Sequence, residues 1–503
     1  MEGTQTLILV ALIGGAFLIS GLLHRYAERS NLVSGIEYAL VGVLIGPVMP
    51  WNWQLITPEL LRSFDLLISL LLGLLGFMVG LHAREAMRRF EHFMAGSVAA
   101  LGVVVVVGVA MLEVVQRLIP FYLDDPTPMI AIPVWTDGRN LYEVWAADDA
   151  LWLALTLGAA AAVASVSAIE TTAERWQAEG RPVLLLKDLA SAGMVLAIMI
   201  FGIGLAGDRA VESADNLGLS LVEWSLLIGA AGAATGALFT VFIGGAEDDL
   251  RVYLATVGAV IFAAGIGAAL GISPLFVNLI AGLTVASTSA QADHLRTNLD
   301  PMRRPVSILL MVFAGVAWAP LSGWLWLIPV VYLLLRVGAR LVASRLAVAT
   351  FVHGTEFRRV GGGLIGQGSL AAAIALSWWQ GHPNTGPLVL SAVLVPMLIT
   401  DLFAVRILRR VLANAGAIRP RAKLAPEDQP APKPEGLLVN APEASGIRAT
   451  IHAAPEHDAA TTTGASAPAQ PLPEVVSSDV KYSEASAATT ADADTSGDSG
   501  DHA

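Results

Sequence analysis

Cysteine does not occur in the 503 residues, so disulfides, thiolate metal sites and thiol-based redox gating are excluded. Charged residues are also scarce. They make up 14% of the chain, whereas about a quarter is usual for a soluble globular domain. Hydrophobic residues make up 55%, so water cannot be the solvent for most of the chain. A GxxxxGK[ST] nucleotide-binding loop is absent, which leaves ATP-driven work unsupported.

The apolar residues are gathered into thirteen runs, each of them long enough to cross a bilayer as an α-helix. The sequence therefore predicts an all-α polytopic membrane protein with about 13 transmembrane helices. The first run lacks a basic segment before it and a convincing cleavage site after it, so we interpret it as a helix and not as a removable signal peptide. The predicted spans are 6–23, 32–50, 64–81, 93–119, 150–169, 183–206, 220–243, 252–270, 274–290, 306–320, 324–346, 360–378 and 386–408.

The distribution of arginine predicts the orientation, because cytoplasmic loops are enriched in Lys and Arg. With thirteen spans, one side has almost only Arg62, Arg139 and Arg209. We therefore expect a multi-pass protein of the cell inner (plasma) membrane, with its N-terminus outside and its C-terminus in the cytoplasm. The arginines on the cytoplasmic side are Arg25, Arg29, Arg84, Arg88, Arg89, Arg175, Arg181, Arg251, Arg296, Arg303, Arg304, Arg358, Arg359, Arg406, Arg409 and Arg410.

The composition divides the chain into a transmembrane domain, residues 1–417, and a tail, residues 418–503. The tail is rich in Ala, Pro, Thr, Ser and Asp and has no apolar periodicity, so we expect it to be disordered, acidic and cytoplasmic. It carries most of the net charge of −12, which leaves the membrane domain nearly neutral. Within that domain, residues 120–149 form an outer loop insertion. It either concentrates cations or is a plain solvated connection.

The two halves of the membrane domain echo each other. Four pairs of segments recur in the same order, and in the thirteen-span arrangement paired helices cross the membrane in opposite directions. This pattern predicts an inverted repeat, which is typical of transporters. The pairs are 42–47 with 281–284, 75–80 with 311–315, 158–167 with 361–373, and the Lys187–Asp188 helix with the Thr400–Asp401 helix.

Asp188 lies in an apolar helix. A carboxylate there costs about 2.5–3.5 kcal/mol on insertion scales, so such a residue is usually functional. It binds either a proton or a dehydrated cation but hardly both, and competition for one site is itself an exchange mechanism. The alternative is that Lys187 and Asp188 belong to the membrane edge, since hydropathy places them within two turns of the cytoplasmic end.

Two segments are rich in small residues and are candidates for broken helices. The first contains Ser165 and Ser167 and is followed by Glu170; the second contains Gly366, Gln367 and Ser369. Such segments either unwind inside the membrane and offer oxygen ligands to an alkali cation, or allow close helix packing without any ligand. The glycines weaken a continuous helix and favour unwinding more strongly in the second segment.

Further charged residues lie within apolar spans. Asp401 is either a second proton site or a structural partner of a helix dipole or an arginine. Arg336 and Arg340 share one long span, and a buried arginine there fits the role of holding a carboxylate or an unwound carbonyl. With Glu170, these residues are the candidate charge partners. Five histidines fall at cytoplasmic helix ends, where interface preference explains them as well as pH sensing does, and they indicate no site.

These motifs resemble the monovalent cation:proton antiporter superfamily, particularly its second branch of sodium/proton exchangers and potassium efflux systems. The resemblance covers residues 6–412. It implies a homodimer with dimerisation and core domains, two helices broken at the midplane, elevator-type movement of the core, and Asp188 as the cation- and proton-binding aspartate. The residues that carry it are 38–47, 77–81, 186–190, 280–283 and 364–368.

One position departs from the family pattern. The residue before the family aspartate is usually Asp, Asn or Gln, and here it is Lys187. Three roles are open to this lysine: it pairs with Asp188, it carries a second proton, or it abolishes cation binding.

We expect a secondary antiporter of Na⁺ or K⁺ and protons, with no enzymatic activity, cofactor, resident metal or nucleic-acid partner. The alternatives are a cation channel or gated K⁺ efflux path, a non-transporting membrane sensor, and an intramembrane aspartyl protease. The motifs of the last are absent.

Overall fold

The computed structural model describes residues 35–46, 58–123, 149–212, 218–243, 249–321, 323–352, 355–382 and 385–418, and in these ranges it is almost entirely helical. Short 3₁₀ segments cover Gly323–Trp326 and Thr355–Leu364. The α-helices, numbered here in chain order, are α1 Ile36–Ile45, α2 Pro58–Ser63, α3 Asp65–Arg88, α4 Phe90–Leu123, α5 Asp149–Ala162, α6 Val166–Arg175, α7 Arg181–Glu212, α8 Leu221–Ile243, α9 Asp249–Ala269, α10 Pro274–Thr288, α11 Ala292–Ala317, α12 Leu327–Phe351, α13 Ser369–Gly381 and α14 Gly386–Asn414.

The predicted polytopic α-helical membrane fold is confirmed. Each predicted span from the second to the thirteenth coincides with a described helix or with two helical pieces. Within the described ranges, eight helical segments are long and apolar enough to cross a membrane. The first predicted span, residues 124–148 of the insertion and residues 419–503 of the tail lie outside the described ranges.

Several helices extend beyond the spans that hydropathy predicted. The helix α3 continues past residue 81 to Arg88, and Arg89 alone separates it from α4. The helix α11 begins at Ala292, whereas the predicted span began at residue 306. Hydropathy missed these turns because they carry arginine, aspartate and glutamate. The prediction was therefore wrong at the helix ends that bear most of the charge.

Two predicted spans are interrupted. Residues 163–165 separate α5 from α6, and residues 365–368 separate the second 3₁₀ segment from α13. The helices pack in two groups. The crossing group, which contains both interruptions, consists of α4 to α7 and α12 to α14. The frame group consists of α1, α3 and α8 to α11.

The glycine motifs of one half of the repeat contact those of the other half, although each motif packs on the partner of its neighbour and not on its own echo. The helix α1 packs on α11 so closely that a Cβ added to Gly42 would lie 2.9 Å from Gly315 Cα. In the same way α10 packs on α3, where a Cβ on Gly282 would overlap the backbone carbonyl of Phe77. Small residues allow this approach in a membrane, where helix association depends on van der Waals packing. The repeated motifs are therefore helix-packing contacts of the frame group.

The substitution Gly282→Val should destabilise the frame group, because the new side chain meets backbone that cannot move aside. We expect the free energy of unfolding to fall by about 1–3 kcal/mol or more. Gly258→Val in α9 is the matched control, since a Cβ there meets nothing within 4 Å. Thermal unfolding in one detergent measures both variants, and equal losses would contradict this account of the packing.

Candidate functional site

The two interruptions meet in space, and we call residues 163–165 and 365–368 together the helix crossing. The backbone N–H of Ser165 donates to the carbonyl of Gly366 at 2.9 Å. The side chain of Ser165 caps α6 by accepting from the N–H of Ala168 at 3.2 Å, and its Oγ lies 3.1 Å from that of Ser167. Gly368 has a φ of 72°, and a Cβ there would lie 2.8 Å from Ser165 Oγ. The crossing therefore requires glycine at this position.

Two buried arginines satisfy carbonyls that the interruptions release. Arg336 donates from Nη1 to the carbonyl of Ile365 at 2.7 Å and from Nη2 to that of Val163 at 3.1 Å. Arg340 Nε donates to the carbonyl of Leu364 at 3.2 Å. An unsatisfied carbonyl costs several kcal/mol in a membrane, so these donors allow the helices to break. The sequence left two partners open for these arginines, a carboxylate or an unwound carbonyl. In the structure both arginines bind unwound carbonyls.

Asp401 caps the helix that follows the second interruption. Its Oδ1 accepts from the backbone N–H of Gln367 at 2.7 Å, and its Oδ2 accepts from that of Gly368 at 3.2 Å. A carboxylate at this end of α13 is also favoured by the helix dipole. The amide of Gln367 donates in turn to the Ala160 carbonyl at 3.1 Å and to the Tyr332 hydroxyl at 3.0 Å. These contacts give Asp401 the geometry of a structural cap.

Asp188 lies within α7 and is 4% exposed. Its Oδ2 is 2.7 Å from His92 Nδ1, and it also forms an ion pair with Arg89 Nε at 2.8 Å. The angle at Arg89 Nε is too poor for a hydrogen bond, so this second contact is electrostatic. Both partners lie at or next to the junction of α3 and α4. The carboxylate is thus paired in this structure with one fixed positive charge and one imidazole.

Lys187 does not pair with Asp188 in this structure. Successive residues point about 100° apart around a helix, and Lys187 Nζ lies 3.2 Å from Glu170 Oε1 instead. Arg303 of α11 approaches the other oxygen of Glu170 at 3.7 Å. Glu170 therefore joins the crossing group to the frame group. Of the three roles considered for Lys187, pairing with its neighbour is not the arrangement observed.

A cavity of about 500 Å³, the first cavity, brings most of the predicted residues together. Hydroxyl, amide and carboxylate groups of the crossing group line one part of it, and charged residues of α3 and α11 line another. Arg336 and Arg340 are not among its lining residues. The predicted residues that do line it are Ser165, Ser167, Glu170, Lys187, Asp188, Gln367, Ser369 and Asp401.

Sequence reasoning missed the two contacts of Asp188. Arg89 was counted only as a loop arginine, and His92 was one of several histidines at predicted helix ends. Arg89 immediately precedes α4 and His92 lies in its first turn, but their spacing of three residues does not say which helix they face. A contact between residues 96 positions apart arises only from packing.

Solved structures with this arrangement of helices are known. One is a structure at pH 8 of the sodium proton antiporter MjNhaP1 from Methanocaldococcus jannaschii; its TM-score is 0.56 at 14% identity, and the match covers 81% of this chain and 99% of that one. The chain has the fold of this antiporter. An electron-microscopy structure of MjNhaP1 matches with a TM-score of 0.55 over 82% of this chain and 99% of that chain, also at 14% identity.

At this identity the likeness to MjNhaP1 concerns the fold alone. No family model matches the chain, and no curated protein matches it. The fold that the sequence resemblance implied is thus confirmed by structure, although overall sequence similarity is low.

Arg336→Gln tests the role of the arginine at the crossing. The change leaves the carbonyls of Val163 and Ile365 without their charged donor, and each such hydrogen bond contributes about 1.5–3 kcal/mol. We expect the free energy of unfolding to fall by about 3 kcal/mol or more. Arg345→Gln is the control, because Arg345 lies on the same helix and is exposed. Thermal unfolding should separate the variants clearly, and an unchanged midpoint for Arg336→Gln would refute the role.

Proposed function

We propose that the protein is a secondary active antiporter that exchanges a monovalent cation, Na⁺ or K⁺, for protons at Asp188. The observation that carries this proposal is the buried carboxylate of Asp188 beside the helix crossing, in a cavity partly lined by hydroxyl, amide and charged side chains. Hydroxyl and amide oxygens of Ser165, Ser167 and Gln367 line the same cavity and are the type of ligand that alkali cations take. The fold shared with a sodium proton antiporter supports the proposal.

The exchange follows from charge neutralisation at one carboxylate. Arg89 and His92 contact Oδ2 of Asp188 in this structure. A cation that binds this oxygen must displace at least one of them, whereas a proton on the carboxylate removes the charge that holds Arg89. Because a proton and a cation compete for the same charge, occupation by one excludes the other. Alternate occupation on the two sides of the membrane then couples the two flows.

The helix groups suggest how the site reaches both sides. We propose that the crossing group, which carries Asp188, moves as an elevator against the frame group. The Glu170–Arg303 contact joins the two groups and would have to break during the movement. We further propose that the frame group forms a homodimer in the cell inner (plasma) membrane, with the N-terminus outside and the C-terminus in the cytoplasm.

Asp188→Asn tests the central residue. The amide of asparagine has no negative charge that a proton or a cation could neutralise in turn. Exchange should therefore fall to the level of empty vesicles. The measurement uses purified protein reconstituted with an enclosed pH dye, to which sodium, potassium and lithium salts are added in turn. Asp293→Asn is the control, since Asp293 is exposed on α11. The proposal fails if no cation moves protons in the wild type, or if Asp188→Asn exchanges normally.

Lys187→Gln tests the basic neighbour. The Lys187–Glu170 pair is partly exposed, and such pairs contribute at most about 1 kcal/mol, so the fold should remain intact. Removing a positive charge next to Asp188 should change the pH dependence of exchange or the charge moved per cycle. Both quantities are measured in the same vesicles, with Arg88→Gln as a control at an exposed arginine. If neither quantity changes, Lys187 has no part in the exchange.

A further inference from the structure

A second cavity of about 500 Å³ lies at the opposite end of the helix that carries Asp188. Asp208 lines it and follows Asp188 by 20 residues, which corresponds to about 30 Å along α7. The cavity lies where the last turns of α7 and α13 approach α3 and the turn between α9 and α10. Its polar lining includes Asp65, Asp208, Arg209, Ser273, Gln380 and His382.

Both ring nitrogens of His382 face hydrogen-bond acceptors. Nε2 lies 2.8 Å from Asp208 Oδ2, and Nδ1 lies 3.2 Å from the backbone carbonyl of Trp378. A neutral imidazole has one N–H and can satisfy only one of these acceptors, whereas the doubly protonated ring satisfies both. The ring also stacks on the indole of Trp378, with centroids 3.8 Å apart and planes 8° apart, which favours a cation. Only the doubly protonated ring therefore donates to both of the acceptors that face it.

The charges around His382 come from three neighbouring helices. On α7, Asp208 contacts the ring, and the adjacent Arg209 donates from Nε to the carbonyl of Gly271 at 2.8 Å. On α3, Asp65 lines the same cavity, and Arg62 of α2 lies near it. No other charged residue occurs in the sequence of α13. Asp208 is thus the partner whose attraction depends directly on the charge of His382.

The same end of α13 holds the two helix groups together. Gln380 donates from Nε2 to the carbonyl of Asp65 at 3.1 Å and to Ser69 Oγ at 3.4 Å. One turn earlier, Ser377 donates to Ser273 Oγ at 2.7 Å. These bonds run from the crossing group to the frame group. The C-terminal end of α13 therefore contributes side-chain hydrogen bonds between the two groups beside the second cavity.

We propose that His382 and Asp208 form a proton-binding latch that holds α13 against α7 and keeps the two helix groups closed at the second cavity. An imidazole changes charge between about pH 5 and pH 8. With both ring nitrogens protonated, the ring donates to both acceptors and the latch is closed. When the ring loses one proton, the ion pair and one hydrogen bond are lost and the latch loosens. Any effect of the latch on transport rests on the proposed antiport function. The contact between His382 and Asp208 can be tested without that function.

A double-mutant cycle tests the pair without any transport. Thermal unfolding of the purified full chain is measured at pH 6 and pH 9 for the wild type, His382→Gln, Asp208→Asn and the double variant. The cycle removes contributions from other titrating groups. We expect the midpoint shifts to be non-additive at pH 6 and closer to additive at pH 9, because a neutral ring retains at most one hydrogen bond and no ion pair. His294→Gln, at an exposed histidine on α11, combined with Asp208→Asn should be additive at both values. Additive shifts at pH 6, or equal coupling at both values, would overturn the proposal.

Closure of the cavity is tested by labelling, because any introduced cysteine is the only one in the chain. Leu205→Cys places a thiol at a buried position that lines the second cavity, and Ser63→Cys gives an exposed reference for the pH dependence of thiol chemistry. The ratio of their maleimide labelling rates should rise several-fold from pH 6 to pH 9. It should be independent of pH when Asp208→Asn is present. A constant ratio in the otherwise wild-type chain would overturn the latch.

These outcomes are separate from those of the vesicle assay. If the wild type moves no cation, the antiport proposal fails while the cycle and the labelling still decide the latch. If exchange occurs but either test of the latch fails, the proposed function stands and the latch does not.

Discussion

Backbone carbonyls that leave a helix inside a membrane have no water to bond, and the rest of the site depends on the side chain that bonds them. Arg336 donates to one carbonyl from each interruption, at Val163 and Ile365. One planar guanidinium thus joins both broken helices, and lysine, with its compact charge, does not present the same fork. Ser165 and Gly368 of the crossing then line the first cavity, together with the neighbouring Ser167. Asp401 completes it by accepting the N–H groups at the start of α13.

The helix α7 links the two ends of the structure. Asp188 lies near its first turns beside the first cavity, and Asp208 lies near its last turns beside the second. Each aspartate has a histidine partner, His92 and His382 respectively, and each pair joins α7 to another helix of the crossing group. Both aspartate–histidine pairs are therefore attached to one continuous helix.

The general fold was predictable from the sequence because a membrane imposes strong local constraints. A span must be apolar over its whole length, and small residues mark close approach, so hydropathy and the glycine motifs predicted the helices from the second span onward. The ends of α3 and α11 were misjudged, since a helix can continue into charged residues where a cavity or an aqueous boundary receives them. Helix length at those ends depends on tertiary surroundings.

By itself, the sequence determined the class of fold, the order of the helices, two small-residue segments that were candidates for broken helices, and the aspartate that lies among apolar residues. Only the tertiary structure decided the partners of each charge. It paired Asp188 with Arg89 and His92, and it paired the adjacent Lys187 with Glu170. The physical reason is that spans are specified by residues close together in the chain. An ion pair depends on which faces of distant helices meet, and that is set by the packing of the whole molecule.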